Sequence, residues 1–155
     1  MKHAAQHFRA GVGAVIINRD GRVLALERTD IPGAWQFPQG GLEEDEEPLA
    51  AVLREVAEET GIRPEKLDLR ARHPEPLAYE LPPAARSGRT GRGQVQYWFL
   101  FRFRGRRKDI APPEGGEFRA WEWRSFDEVV AGAAPFRRAV YRRLRASFGR
   151  TTRRR

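Results

Sequence analysis

Two apolar runs lie close together near the N-terminus, and both are rich in aliphatic residues. Residues 11–18 read GVGAVIIN and residues 22–28 read RVLALER. The pair Asp20-Gly21 stands between them and favours a tight turn, because glycine adopts a positive φ without strain. The pattern predicts a β-hairpin formed by these two segments.

A helix is predicted over residues 48–60, because apolar side chains recur there at intervals of three and four. Pro48 suits the first helical position, where its missing N–H costs no hydrogen bond. Gly61 follows the last apolar position and is the expected C-cap. The predicted buried stripe consists of Leu49, Val52, Leu53, Val56 and Thr60.

The rest of the chain alternates between predicted strands and loops, with helices at the end. The predicted strands are 67–73, 76–81, 94–103 and 118–123, and the predicted loops are 29–42 and 82–93. The first loop carries Trp35 and Phe37, so we expect it to pack against the core. The second, rich in proline, glycine and arginine, is expected to be mobile.

Two helices are predicted after the last strand. Ser125-Phe-Asp-Glu128 has the pattern of a capping box, which opens a short helix. A C-terminal helix follows, with an arginine-rich outer face. Its apolar positions are Phe136, Val140, Leu144 and Phe148. Strands around an early helix, followed by late helices, predict an α/β fold, an α/β/α sandwich with a mixed sheet.

The composition fits one intracellular domain. We expect a single domain over residues 1–155, ordered over about 8–148 and ending in a basic tail, 149–155. The absence of cysteine excludes disulfides and thiolate metal sites. The formal charge of +8, mostly from arginine, favours phosphate-rich partners, with a coding bias as the alternative explanation. No apolar run resembles a membrane span or a signal peptide, so we expect a cytoplasmic protein with no membrane partner.

Three glutamates lie on the polar flank of the predicted helix: Glu55, Glu58 and Glu59, at i, i+3 and i+4. Like charges at this spacing repel each other by about a few tenths of a kcal/mol per pair. Arg54 alone cannot neutralise three carboxylates, whereas Mg²⁺ prefers clustered oxygen ligands. The competing interpretation is an ordinary solvated helix face.

The surrounding residues follow the pattern G-x5-E-x7-R-E-U-x-E-E-x-G-U, in which U is aliphatic, from Gly40 to Ile62. The sequence therefore resembles the Nudix hydrolase superfamily. This resemblance implies a metal-dependent hydrolase that cleaves the pyrophosphate link of a substituted nucleoside diphosphate. It also implies the α/β/α sandwich of that family.

The same resemblance implies roles for the residues of the pattern. Glu55, Glu58 and Glu59 would bind Mg²⁺ or Mn²⁺, with more than one ion. Arg54 would orient a glutamate through an ion pair, with Glu46 as its partner. The backbone at Gly40 would approach the metal or a phosphate.

The segment WQFPQGG at 35–41 looks like a subgroup that contains bacterial RNA 5′-pyrophosphohydrolases and asymmetric diadenosine-polyphosphate hydrolases. Four further segments agree: YELP at 79–82, GQVQYWF at 93–99, EFRAWEW at 117–123 and FRRAVYRR at 136–143. The resemblance implies either conversion of the 5′-triphosphate end of RNA to a 5′-monophosphate, or cleavage of diadenosine tetraphosphate to ATP and AMP.

Within that subgroup, Glu117 would be a further metal ligand or the general base, with Glu59 as the competing base. The implied substrate-binding residues are Arg9, Arg28, Gln39, Gly41, Tyr79 and Phe118. The two arginines would face the phosphates or the base, and one of the two aromatic residues would stack on a base. Alternatively, Phe118 is core, Tyr79 a strand residue and Arg9 a surface charge.

Some features depart from this pattern or stay open. Tyr97 stands where related proteins often carry lysine, and the arginines of loop 82–93 could supply that charge. The histidines, His3 among them, show no metal-ligand spacing. The basic run 102–108 is interpreted as a solvated strand end or as an RNA groove. Hydrolysis of ADP-ribose or oxidised nucleotides, and a non-catalytic nucleotide- or RNA-binding module, are the competing functions. We expect a monomer or homodimer without a DNA partner.

Overall fold

A computed structural model describes residues 6–152, and its secondary structure comprises eight strands and three α-helices. The strands are β1 (Phe8–Ile17), β2 (Val23–Arg28), β3 (Trp35–Gln36), β4 (Gln39–Gly41), β5 (Leu67–Arg72), β6 (Leu77–Glu80), β7 (Gly93–Phe103) and β8 (Phe118–Arg124). The helices are α1 (Pro48–Thr60), α2 (Phe126–Gly132) and α3 (Pro135–Thr152). Within the described residues, we find no helix with the length and apolarity of a membrane span.

The strands form one mixed sheet. β1 and β7 pair in parallel along their length, from Phe8 opposite Gly93 to Ile17 opposite Arg102. The other pairings are antiparallel: β2 pairs with β1, β3 and β8, β4 pairs with β1, and β5 and β6 both pair with β7. The predicted α/β class with a mixed sheet is therefore confirmed.

Two apolar cores lie on opposite faces of this sheet. Successive side chains of a strand point to opposite faces, so Ala14 and Ile16 pack with α1 while Val15 and Ile17 pack with α2 and α3. The second core also contains Tyr141 of α3, whose hydroxyl accepts a hydrogen bond of 3.1 Å from the backbone N–H of Phe37. The sandwich has α1 on one side and α2 with α3 on the other.

Several elements lie where the sequence pattern predicted them. The hairpin turn is present, with Gly21 at φ 78° and the N–H of Asn18 bonded to the carbonyl of Arg22 at 3.0 Å. Helix α1 has the predicted bounds, and Gly61 caps it at φ 76° by donating to the carbonyl of Ala57 at 2.9 Å. Ser125 also forms the predicted capping box with Glu128.

Three predicted segments contain more regular structure than expected. Segment 29–42 contains β3 and β4, although its predicted packing is confirmed because Phe37 is fully buried. Segment 82–93 contains a short 3₁₀ helix, Pro83–Ala85, and is held by backbone hydrogen bonds such as Leu81 N–H to Arg92 O at 2.9 Å. Helix α3 continues to Thr152, so the first part of the predicted tail is helical. Residues 153–155 and His3 lie outside the described residues.

Candidate active site

The C-terminal half of α1 presents three glutamates to one side of the sheet, in three different environments. Glu59 is buried, with 8% of its surface exposed. The side chain of Glu55 is 14% exposed and that of Glu58 is 58% exposed. The helix therefore places carboxylates from the core boundary outward to solvent.

Strand β4 lies directly beside these glutamates. The backbone N–H of Gln39 donates a hydrogen bond of 2.9 Å to Oε1 of Glu59. At Gly40 the backbone approaches Glu55 so closely that a Cβ atom would lie 1.9 Å from the carboxylate carbon. Only glycine fits this position while Glu55 keeps its place, which explains the residue at the start of the motif.

Arg54 ties several parts of the motif together. Its guanidinium donates two hydrogen bonds of 2.8 Å to the two oxygens of Glu46, in the bidentate geometry that favours arginine. It also donates to Glu55 at 2.9 Å and to the carbonyl of Gly41 at 3.1 Å. The predicted ion pair between Arg54 and Glu46 is present, and it fixes the loop before α1 to the helix.

Hydrogen bonding by Arg54, assisted by the backbone N–H of Glu43, lowers the pKa of Glu46 to about 2. The opposite holds for Glu59, because burial, together with the negative charges of Glu55 and Glu117, raises its pKa to about 9. Burial likewise raises the pKa of Glu55. The inner carboxylates therefore lie where negative charge is disfavoured unless a cation balances it.

The carboxylates border a cavity of about 180 Å³. Its walls are formed by the three glutamates of α1, by the segment before β8, including Glu117, and by Phe118 at the start of β8. A second cavity of about 490 Å³ shares Gly116 and Glu117 with the first and is also lined by Arg28. Glu117 thus stands at the junction between an acidic cavity and one that contains a guanidinium.

The donor set fits a divalent cation. Carboxylate oxygens are the ligands that Mg²⁺ prefers, and a positive ion would offset the charge repulsion that raises the pKa of Glu59. Among residues 6–152 no three acidic or imidazole side chains form a ready-made metal cluster. Arg54 and the Gln39 N–H each hydrogen-bond one oxygen, Oε1, of Glu55 and Glu59, and each carboxylate has a second oxygen that can bind a cation.

Comparison with known proteins decides the family. The sequence profile of the NUDIX domain matches residues 7–144. This chain belongs to the Nudix family. A relative from Cereibacter sphaeroides, an RNA pyrophosphohydrolase, is 43% identical over 146 residues, which cover 91% of this chain and 90% of the relative.

Solved structures agree with the fold. The Escherichia coli dihydroneopterin triphosphate pyrophosphohydrolase superposes with a TM-score of 0.73 at 25% identity, covering 92% of this chain and 99% of that protein. A Caenorhabditis elegans Ap4A hydrolase superposes with a TM-score of 0.69 at 21% identity, covering 91% and 98%. The predicted enzyme class, a hydrolase of phosphoanhydride bonds in nucleoside polyphosphates, is confirmed, and this family requires a divalent metal ion.

The two predicted substrate-binding arginines of this Nudix hydrolase have different surroundings. The guanidinium of Arg9 lies against Gly41, where a Cβ atom would be 2.2 Å from Arg9 Nη2. Arg28 lines the cavity next to Glu117 and forms two hydrogen bonds of 2.8 Å with Asp30. Substrate binding by either arginine stays a prediction.

The two aromatic candidates are both buried. Tyr79 packs against Phe136 with ring centroids 5.6 Å apart, and its hydroxyl lies 3.5 Å from the side-chain amide of Gln39. Phe118 is 4% exposed but borders the acidic cavity. Neither ring presents an open face, so base stacking by either residue stays a prediction.

The sequence did not single out a polar cluster next to Arg28. The side-chain oxygen of Gln36 accepts hydrogen bonds from Arg28 at 3.4 Å and from Arg137 at 3.1 Å. Arg137 belongs to α3, and its guanidinium also lies 5.9 Å from the centre of the Tyr79 ring. The segment FRRAVYRR was noted only as a resemblance, and no spacing rule joins it to a strand a hundred residues away.

Proposed function

We propose that this Nudix hydrolase is an Mg²⁺-dependent RNA pyrophosphohydrolase, which converts the 5′-triphosphate end of RNA to a 5′-monophosphate. The observation that carries the proposal is the junction at Glu117, where a cavity lined by carboxylates meets one lined by Arg28. Such a pair of neighbouring cavities suits a reacting phosphate beside the glutamates of α1 and further phosphates beside the guanidinium of Arg28. The relative named RNA pyrophosphohydrolase is similar over nine-tenths of the chain.

In this proposal Glu55, Glu58, Glu59 and Glu117 hold more than one divalent ion, and their oxygen donors suit Mg²⁺ or Mn²⁺. When bound, such ions neutralise phosphate oxygens and lower the pKa of the attacking water. The buried and exposed positions of the glutamates place ligands at several depths of the cavity. The backbone at Gly40 keeps the space beside Glu55 free of any side chain.

Arg54 acts as a positioning residue. Its bidentate bond to Glu46 anchors the guanidinium, and the anchored guanidinium then fixes Glu55. Because Arg54 also binds the carbonyl of Gly41, it sets the distance between β4 and α1. The carboxylate and the backbone of the proposed metal site are therefore oriented by one side chain.

A general base must accept a proton from the attacking water. Glu117 is exposed on the loop before β8 and borders both cavities, whereas Glu59 is buried and already accepts a hydrogen bond from Gln39. The exposed carboxylate is the better placed of the two, and we assign the base to Glu117. Glu59 then acts as a metal ligand.

Arg28 and Arg9 would receive the phosphates that do not react. Arg28 is held by Asp30 and Gln36, which leaves its guanidinium oriented toward the cavity it shares with Glu117. Arg9 lies over Gly41, next to the backbone that flanks Glu55. Guanidinium groups suit this task because their planar donors match phosphate oxygens.

A parallel assay tests the proposal. Triphosphorylated RNA, diadenosine tetraphosphate, ADP-ribose and oxidised dGTP are incubated with the protein and Mg²⁺, and the products are identified. We expect the highest kcat/KM for triphosphorylated RNA, with a 5′-monophosphate product. Preferred cleavage of diadenosine tetraphosphate to ATP and AMP would instead assign the same centre to dinucleoside polyphosphates. Preference for ADP-ribose or oxidised dGTP would refute the proposal.

A further inference from the structure

A large basic cavity lies at the other end of β8 from the proposed active site. Its volume is about 420 Å³, and it is formed by the β1–β2 hairpin, the end of β7 and the end of β8. Four arginines and one aspartate line it, together with Trp123 and Phe103. The charged lining residues are Arg19, Asp20, Arg102, Arg104 and Arg107.

Among the described residues, three of these arginines have no carboxylate partner. Arg104 is paired with Asp68, whereas Arg19, Arg102 and Arg107 form no salt bridge within the described part of the chain. Nε of Arg102 is buried and lacks any hydrogen-bond partner there. An unpaired buried N–H of a guanidinium is costly, and a phosphate oxygen in the cavity would satisfy this donor.

The cavity is connected to the proposed active site by two elements. β8 runs from Phe118, which borders the acidic cavity, to Trp123, which lines the basic one. These residues are five positions apart, or about 17 Å at 3.3 Å per residue. The connection between β7 and β8 also extends from one cavity to the other, because Arg107 lines the basic cavity and Pro113 lines the acidic one. The guanidinium of Arg107 lies 4.4 Å from the ring centre of Trp121, a residue of β8 between Phe118 and Trp123.

We propose that this basic cavity binds the phosphodiester backbone of the RNA substrate downstream of its 5′ end. The inference rests on the proposed function, since it concerns the same substrate. Stacked nucleotides advance about 3.4 Å each, so a separation of about 17 Å corresponds to roughly five nucleotides. A dinucleotide or a dinucleoside polyphosphate in the acidic cavity is too short to reach the arginines, whereas a longer RNA does.

The double variant Arg19→Gln/Arg107→Gln tests the site, because both side chains are exposed and lie outside the apolar cores. The matched control is Arg142→Gln/Arg150→Gln, which removes the same charge from exposed positions of α3. Each protein is assayed with a triphosphorylated dinucleotide and with a triphosphorylated RNA of about ten nucleotides, a length within the range of single-strand binding sites. Binding of the same long RNA with a 5′-hydroxyl end is measured by fluorescence anisotropy, which does not depend on turnover.

For the long RNA, we expect each lost contact to reduce the slope of log K against log salt concentration by about 0.7. This change corresponds to a loss of affinity of about fivefold at 0.1 M salt. In the double variant, both the affinity for the long RNA and kcat/KM on it should fall, while kcat/KM on the dinucleotide stays at the wild-type level. The control variant should match the wild type in every measurement. Equal losses in the double variant and the control, or equal losses on short and long RNA, would overturn the basic site but leave the proposed function intact. If the wild type hydrolyses no RNA but cleaves diadenosine tetraphosphate, both proposals fail.

Discussion

The backbone of Gly40 lies against the carboxylate of Glu55, and a Cβ atom at position 40 would be 1.9 Å from Glu55 Cδ. This contact joins β4 to α1 at the point where we propose that metal ions bind. Since the contact involves backbone on one side and a tethered side chain on the other, neither partner can move freely. Even the smallest added side chain must therefore displace a proposed ligand.

Gly40→Ala should reduce kcat by roughly 100-fold, because displacements of about 1 Å in a catalytic group have effects of this size. Steady-state kinetics on a triphosphorylated RNA measures the change. Gly88→Ala is the matched control, because nothing lies within 4 Å of a Cβ at that position. Similar activity in both variants would show that Glu55 is not held in place by Gly40.

Glu58→Gln should lower turnover by about 100- to 1,000-fold, the range found when one preorganised electrostatic partner is removed. Its side chain is 58% exposed, so we expect the free energy of unfolding to change by less than about 0.5 kcal/mol. Denaturation with urea checks the fold and single-turnover kinetics checks the reaction. Glu44→Gln, at another exposed carboxylate, is the control. Near-normal turnover of Glu58→Gln would refute its assignment as a ligand.

Arg28→Ala should act mainly on substrate binding. Loss of hydrogen bonds to a charged group costs about 1.5–3 kcal/mol, so KM should rise about tenfold or more while kcat changes little. Asp30→Asn, which removes the charge partner but keeps the guanidinium, should have a smaller effect. If KM is unchanged on every polyphosphate tested, Arg28 does not contact the substrate.

The ion pair between Arg54 and Glu46 predicts a specific dependence of stability on pH. The pKa of Glu46 is lowered from 4.5 to about 2 in the folded protein, chiefly by its hydrogen bonds to Arg54. Ionised Glu46 therefore stabilises the folded state fully above pH 4.5, and this contribution is lost as the pH falls through about 2. The wild type should be more stable than Glu46→Gln above pH 4.5, and the difference should vanish below about pH 2. Urea denaturation across this range measures it, and a difference independent of pH would contradict the assignment.

The parts of the fold that local chemistry determines could be predicted from the sequence. Helix α1 begins at Pro48 and ends before Gly61 as expected, because both residues act within one turn of the helix. Strand β4 was missed, since its extended backbone is stabilised by pairing with β1, some thirty residues earlier in the chain. Such pairings have no signal in the segment itself.

The same distinction holds for the functional regions. The glutamates at i, i+3 and i+4 predicted an acidic surface, because a single helix brings them together. The burial of Tyr79 was left open, because it depends on contact with Phe136 of α3. The basic cavity was predicted only as a solvated strand end or an RNA groove. Its walls combine Arg19 and Trp123, which only the folded sheet makes neighbours.

The most direct test of the central assignment is anomalous diffraction from crystals that contain Mn²⁺ and a non-hydrolysable nucleoside triphosphate. We predict anomalous peaks in the acidic cavity, at about 2.1 Å from carboxylate oxygens of α1. The ligands should include Glu55, Glu58 and Glu59. Well-ordered nucleotide with no peak near these glutamates, and with their carboxylates directed to solvent, would contradict the assignment.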